Sequence, residues 1–346
     1  MHWIVAKALA EKYRNRNLAF LAFSGDILAY KLAKTAKGFI IDSMTFKYRR
    51  AITITEQSGN DLTDFQVLIE LNSTNFNFEH AQTNGEDIRF TDANGNLLSY
   101  WIEEWDSVNK KAKVWVKVPS IPANSSVEIY MYYGNPSASS ASNGDATFEF
   151  FDDFEDYTEK WQEGGDSPTV LSETVDGRSV VKITNGGTNS GGIWTKESIN
   201  VENKVIECVL KGWSEGGADV DEGLGIDTSW NVGTWPSLNI LHATGDLPSP
   251  SEYHTVRIRD SGFVTGSKNL KTDWDKKQTI IKTEQIIGIY DGEELSASGT
   301  PTTYEGKIML SVDNNKNNAG VYYDWIFVRK YTEPEPSISI GVEESA

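Results

Sequence analysis

The stretch Phe150-Phe151-Asp152-Asp153-Phe154-Glu155-Asp156-Tyr157-Thr158-Glu159-Lys160-Trp161 alternates aromatic rings with carboxylates. A period of two sends alternate side chains to opposite faces, so it reads as a strand with one side in a core and the other turned to water or a cation. Before it runs Asn135-Pro136-Ser137-Ala138-Ser139-Ser140-Ala141-Ser142-Asn143-Gly144, small and polar throughout, a composition that cannot sustain a core. The seam between the two marks a domain boundary, and residues 150–155 open the second domain.

Composition agrees with a β protein. The 346 residues are enough for two or three domains, and 11 Trp, 14 Tyr and 14 Phe against 4 Met and one Cys favour sandwiches over helical bundles. A net charge of −18 argues against nucleic acid as a partner, since phosphate binding needs a concentrated positive face. That charge is uneven: residues 1–50 hold ten Lys/Arg and three Asp/Glu, about +7, which leaves about −25 for the remainder. Cys208 has no partner for an intramolecular disulfide, and Val205-Ile206-Glu207-Cys208-Val209-Leu210 suits a small buried hydrophobe. The apolar run 18–30 is broken by Ser24-Gly25-Asp26, so it is neither a transmembrane segment nor a recognisable signal peptide.

Four segments follow. Residues 1–45 are a basic N-terminal anchoring segment: 1–16 read as a helix, and 26–37 as a second helix, the alternative being a hairpin of 18–23 and 27–31. It either docks to other structural subunits or packs on its own β-domain. Residues 46–136 carry strand-like runs at 48–54, 66–71, 88–91, 97–103, 113–118 and 127–133 between Gly-, Asn- and Pro-rich turns, the pattern of an antiparallel β-sandwich. Residues 137–147 read as a linker, and 148–346, with about ten Gly-punctuated strand-like runs, as a jelly roll.

The first β-domain resembles a known family. Tyr48-Arg49-Arg50-Ala51-Ile52-Thr53-Ile54, Asp87-Ile88-Arg89-Phe90-Thr91-Asp92, Tyr100-Trp101-Ile102-Glu103, Val114-Trp115-Val116-Lys117-Val118-Pro119 and Tyr130-Met131-Tyr132-Tyr133-Gly134-Asn135-Pro136 are similar to domain of unknown function 2341 of archaeal and bacterial surface proteins. The resemblance implies a surface module and no activity. In the second domain, Phe151-Asp152-Asp153-Phe154 and Tyr323-Asp324-Trp325-Ile326-Phe327-Val328-Arg329 resemble the opening and closing strands of the concanavalin A-like lectin/glucanase jelly rolls, laminin-G-type modules included. That resemblance implies a structural Ca2+ shared by Asp153 and Asp324.

A retaining glycosidase needs two carboxylates about 5 Å apart, and the nearest candidates, Asp219, Asp221, Glu222 and Asp227, lack the Glu-x-Asp-x-Glu spacing of the glucanases this domain resembles. No catalytic residue is therefore assigned, and the four histidines are too scattered in sequence to suggest a transition-metal site. Sugar-binding faces use flat rings against pyranose faces and polar groups for hydroxyls. Trp230, Trp235, Trp194 and Trp213, with Asp221 and Asn231, are the candidates. The expected protein is mostly β and non-catalytic, a virion or cell-surface adhesion component whose jelly roll binds a cell-surface polysaccharide or glycoprotein, within a homo-oligomer or larger assembly. A scaffold without sugar binding and a β-glucanase-type hydrolase are the alternatives.

Overall fold

A computed structural model describes residues 39–41, 44–186, 190–215, 221–227, 240–244, 254–258, 263–313 and 316–346. The expected helices, or helix and hairpin, of residues 1–37 lie outside the described residues. The chain divides into two compact units, 1–147 with 333–346, and 148–332.

The first unit begins with a small antiparallel pair, β1 (Phe39–Ile41) and β2 (Met44–Phe46). Its sandwich is built from β3 (Tyr48–Thr55), β4 (Leu62–Asn72), β5 (Arg89–Asp92), β6 (Leu97–Leu98), β7 (Tyr100–Asp106), β8 (Lys111–Ile121) and β9 (Ser126–Tyr133). One sheet runs β3-β9-β5-β6, the other β4-β8-β7. Residues two apart supply the core, Val67/Ile69/Leu71 and Val114/Val116/Val118 from one sheet and Ile129/Met131/Tyr133 from the other, as the pleat requires.

The polar run after Gly134 is not a free linker. Asp87 accepts the N–H groups of Gly134 and Asn135 at 2.7 and 2.9 Å, and Arg89 donates to Ser139 O. Gln82 donates to Asn135 O and Ala138 O, and Ser142 Oγ accepts Ile102 N–H. The composition forbade a core of its own, but backbone groups pinned by buried Asp87 and Arg89 need none.

The second unit is a two-sheet jelly roll. Its strands are β10 (Phe150–Asp152), β11 (Trp161–Gly165), β12 (Pro168–Val175), β13 (Arg178–Asn185), β14 (Gly191–Thr195), β15 (Ile199–Asn200), β16 (Lys204–Ser214), β17 (Asp221–Asp227), β18 (Ile240–Thr244), β19 (Thr255–Ile258), β20 (Phe263–Thr265), β21 (Asp275–Lys282), β22 (Gln285–Tyr290), β23 (Glu293–Ser298), β24 (Glu305–Asp313) and β25 (Lys316–Lys330). One sheet orders β12-β13-β25-β16-β21-β22-β23, with β10 beside β25; the other orders β11-β14-β24-β17-β18-β19-β20, with β15 beside β24. Between them lie Ile206/Cys208/Leu210 and Val321/Tyr323 from the first sheet and Leu224/Ile226 and Ile308/Leu310 from the second. Burial raises the Cys208 thiol pKa, so this side chain packs as a hydrophobe and is not a nucleophile.

The opening stretch pairs with the closing one as the jelly-roll resemblance implies, Phe151 opposite Phe327 and Asp152 opposite Ile326. Its alternation, however, does not describe a single strand. β10 ends at Asp152, the chain turns through Phe154 at φ +56°, and β11 starts at Trp161. Asp152 faces inward instead of toward water: it is buried, accepts Phe154 N–H at 2.7 Å and Trp161 Nε1–H at 2.8 Å, and so holds the turn.

The end of the chain corrects the expected boundary at 346. Residues Ser337–Ser345 (β26) leave the jelly roll and pair antiparallel with β3 as an edge strand of the first unit. Glu344 pairs with Arg49 at 2.8 Å, and Glu343 accepts Tyr133 OH at 2.7 Å, while Arg50 donates to that hydroxyl and to Gly341 O. Two of the basic residues behind the positive charge of residues 1–50 therefore bind the chain's own C-terminal strand.

Candidate functional site

Strands β13, β25 and β16 lie side by side, and their outward side chains form one row: Lys182 is opposite Tyr322, which is opposite Lys211. One step along, Trp213 is opposite Gly320. Only glycine fits there, because a Cβ at 320 would stand 2.2 Å from Ile183 O and 3.0 Å from Trp213 Nε1. The indole thus lies on the sheet 6.1 Å from the Tyr322 ring at 33°, with Lys182 Nζ 4.2 Å from its centroid.

A third ring joins from the β20–β21 connection. Trp274 donates Nε1–H to Asp176 Oδ2 at 3.0 Å, and Lys211 Nζ donates to the same oxygen at 2.7 Å. Asp176 and Gly177 form the two-residue turn between β12 and β13, both with positive φ, the geometry Asp-Gly adopts in tight hairpins. The hydrogen bonds from Lys211 and Trp274 hold the Asp176 carboxyl below the usual carboxylate range. Arg178 stands 5.2 Å over the Trp274 ring and pairs with Asp324. Burial, with Glu173, Asp176 and Glu215 nearby, raises the Tyr322 phenol, so it stays a donor at neutral pH. The Trp213 N–H is buried and meets no acceptor among the described residues, a gap that water or a ligand would close.

Three part-exposed rings with ammonium, guanidinium and carboxylate groups between them can stack on apolar faces and hydrogen-bond hydroxyls at once. Each cation has an acid beside it (Lys182 with Glu173, Lys211 with Asp176, Arg178 with Asp324). The face is therefore locally balanced and suits a neutral ligand better than a polyanion.

The residues expected to bind sugar do not converge. Trp213 is on the outer face of one sheet, whereas Trp194, on β14, is on the outer face of the other, packed with Leu241, Met309 and Ala243 and seated over Gly164. A sandwich core separates the two, so they cannot share one site. With the Gln162 amide oxygen turned toward it, the Trp194 N–H is answered within its own sheet. Asp221 begins β17 in the sheet that holds Trp194. Trp230, Asn231 and Trp235 lie outside the described residues. Sequence reasoning missed Tyr322, Trp274, Lys182 and Asp176; of these only the Asp-Gly turn left a local signal.

Asp324 is the extra residue of a bulge, Trp325 facing Val209 and Tyr323 facing Leu210. Burial and the Asp153 charge raise its carboxyl, which the Arg178 guanidinium opposes. The Asp153 charge thus reaches the Asp324 carboxyl. As arranged these two aspartates fit calcium poorly: two carboxylates, one already on a guanidinium, against the six to eight oxygens the ion takes. Among the described residues no group of three or more His, Cys, Asp or Glu is placed to hold a metal. Glu222, one of the carboxylates weighed for hydrolysis, faces the core and is fully buried.

Residues 84–164 match the family model described as a domain of unknown function, DUF2341. The match starts after the Tyr48–Thr55 strand and continues past the pinned polar run into β11, so it is offset from the 46–136 expected. Asp87, Arg89, Tyr100, Gly134 and Asn135 fall inside it, and their hydrogen bonds hold the backbone after β9. The chain is 26% identical over 327 residues to Uncharacterized protein 562 of Sulfolobus islandicus rod-shaped virus 1, covering 82% of this chain and 56% of that protein. It thus spans little more than half the length of this curated relative. Similar solved structures include the Bacillus licheniformis β-glucanase, 13% identical with a TM-score of 0.36 over 53% of this chain and 98% of that one. Another is the carbohydrate-binding module CBM66 from Bacillus subtilis, 10% identical with a TM-score of 0.36 over 49% of this chain and 96% of that one. At such scores neither likeness bears on what this chain binds. No helix among the described residues is long and apolar enough to cross a membrane.

Proposed function

We propose that the second unit recognises a neutral glycan of a cell-surface polysaccharide or glycoprotein, without cleaving it, through the outer face carrying Trp213, Tyr322 and Trp274. The observation that carries this reading is the convergence of three part-exposed rings with paired charged groups on one sheet face. The viral relative supports placing the protein in a virion. In that reading residues 1–45 dock to other structural subunits and copies assemble into an oligomer.

A glycan array on the full chain tests the site. Trp213→Ala and Trp274→Ala are each expected to weaken binding by about 1–3 kcal/mol, roughly five- to 160-fold. Trp194→Ala, on the opposite sheet, should leave it unchanged. Array binding that survives both platform substitutions overturns this assignment, and reducing-sugar release from β-glucans would favour the hydrolase reading.

Calcium at Asp153 and Asp324 is proposed only in a form that displaces Arg178. Under that proposal Arg178→Ala should bind millimolar Ca2+ more tightly than the unmodified chain in isothermal titration. Silence from both proteins removes the ion from the account.

A further inference from the structure

A line of polar side chains crosses the core of the jelly roll. His242 on β18 sets Nδ1 2.5 Å from Thr279 Oγ1 on β21, and Nε2 2.7 Å from Nε2 of His254, which precedes β19. His254 Nδ1 is 3.3 Å from Glu293 Oε2 on β23. The protons can be assigned from valence. A carboxylate only accepts, so His254 Nδ1 carries hydrogen; its Nε2 then accepts from His242 Nε2–H, and His242 Nδ1 accepts the Thr279 hydroxyl. Both rings are neutral, in opposite tautomers.

The same groups hold a loop. Glu293 accepts the backbone N–H of Ser267 at 2.8 Å, the Ser267 hydroxyl at 2.9 Å and Lys268 N–H at 3.3 Å. The His254 backbone donates to Lys268 O at 2.6 Å and accepts Gly266 N–H at 2.7 Å. Further along, Tyr290 OH accepts Lys271 N–H, and three residues later Trp274 reaches the aromatic face.

The surroundings resist an added proton. Lys277 on β21 is fully buried and its ammonium opposes a charge on either ring. Glu222 on β17 is engaged with Lys277, Tyr323 and Thr244, the Tyr290 ring stands 6.0 Å from His254, and Glu293 is the acid that reaches a ring. A Cβ at Gly288 would come 2.9 Å from His242 Nε2, so the pair is closely walled.

We propose that His242 and His254 form an acid-operated latch: a proton gained by the pair parts the two rings, frees the 266–274 loop and withdraws Trp274 from the ligand-binding face. Two nitrogens 2.7 Å apart have room for one proton between them. A second, on His254 Nε2, sets N–H against N–H. On His242 Nδ1 it makes a buried imidazolium beside Lys277, which is costly in a core. The latch stands on these distances; its effect on a ligand rests on the glycan reading.

The direction in pH follows. Burial, then the Lys277 charge, lowers both rings, His254 to about 4 and His242 well below the usual imidazole. Once open, the rings return to about 6.5. Above that pH neither state gains a proton and the latch stays shut; as pH falls from about 6.5 toward 4 the open state takes up protons and opening becomes easier.

Hydrogen exchange of the full chain, expressed as protection factors, tests this. Amides 267–271 should lose about tenfold protection per pH unit in that window for each ring protonated on opening, while β16 and β25 keep theirs. His254→Gln, which can still donate to Glu293, should flatten the dependence. Protection of 267–271 that does not change with pH overturns the proposal. Nitrogen-15 histidine spectra of the unmodified chain need no variant: Nε2–H on His242 and Nδ1–H on His254 at pH 7 are expected, and two like tautomers or an imidazolium would overturn it. A latch that responds to acid in a protein that binds no glycan at any pH would sink the glycan reading alone.

Discussion

Glu222→Ala is expected to destabilise the jelly roll by about 3–5 kcal/mol, the cost of leaving a buried charge without its partner. Glu222 on one sheet and Lys277 on the other are both fully buried and paired. The carboxylate also accepts Tyr323 OH at 2.7 Å and Thr244 Oγ1–H at 3.2 Å. Without it, Lys277 Nζ keeps only the His242 carbonyl at 3.3 Å among these partners, inside a core that cannot hydrate it. Glu222→Leu combined with Lys277→Met removes both charges and should recover most of the loss, since well-packed apolar replacements of a buried pair are often neutral or stabilising. Denaturant unfolding of the full chain reads both variants. A double substitution no more stable than Glu222→Ala would show that the polar pair itself, not the stranded ammonium, sets the cost.

Ending the chain at Pro336 should destabilise the first unit by about 2–4 kcal/mol and leave the jelly-roll transition in place. The loss comes mainly from Ile338 and Ile340, which pack part-buried on that unit's core, where a fully buried side chain would contribute about 1.5–3 kcal/mol. The half-exposed Arg49–Glu344 pair adds at most about 1 kcal/mol. Removing β26 also bares the β3 edge, an invitation to strand-to-strand aggregation. Calorimetry resolving two transitions checks this: the first should fall and the second stay. If the second falls instead, residues 337–345 support the jelly roll.

Much of the fold was legible because a strand writes itself locally. Val67/Ile69/Leu71 and Ile206/Cys208/Leu210 show their period of two in any register, so strand identity and inward face can be read without knowing a partner. The likeness of residues 151–154 and 323–329 to jelly-roll opening and closing strands also pointed correctly to the β10–β25 pairing. Less was legible where the pattern has two causes. The acids of residues 152–156 looked solvent-facing, but Asp152, opposite Ile326 in β10, points inward and holds N–H groups of the turn that follows, and alternation cannot distinguish a strand from a strand followed by a turn.

The sequence by itself determined that this is a two-part β protein with a jelly roll beginning near Phe150, an inert Cys208 and an aromatic supply suited to binding. Only the tertiary structure decided which rings meet. Trp194 and Trp213 are near in sequence and lie on opposite sheets, whereas Asp176, Tyr322 and Trp274 are far apart and touch or nearly touch the same face. It also brought two scattered histidines nose to nose and returned β26 to a unit that the chain had left behind. The reason is physical. Side-chain alternation is a property of neighbouring residues, but sheet order is set by which strands bury the most apolar surface together, and that balance is struck over the whole chain.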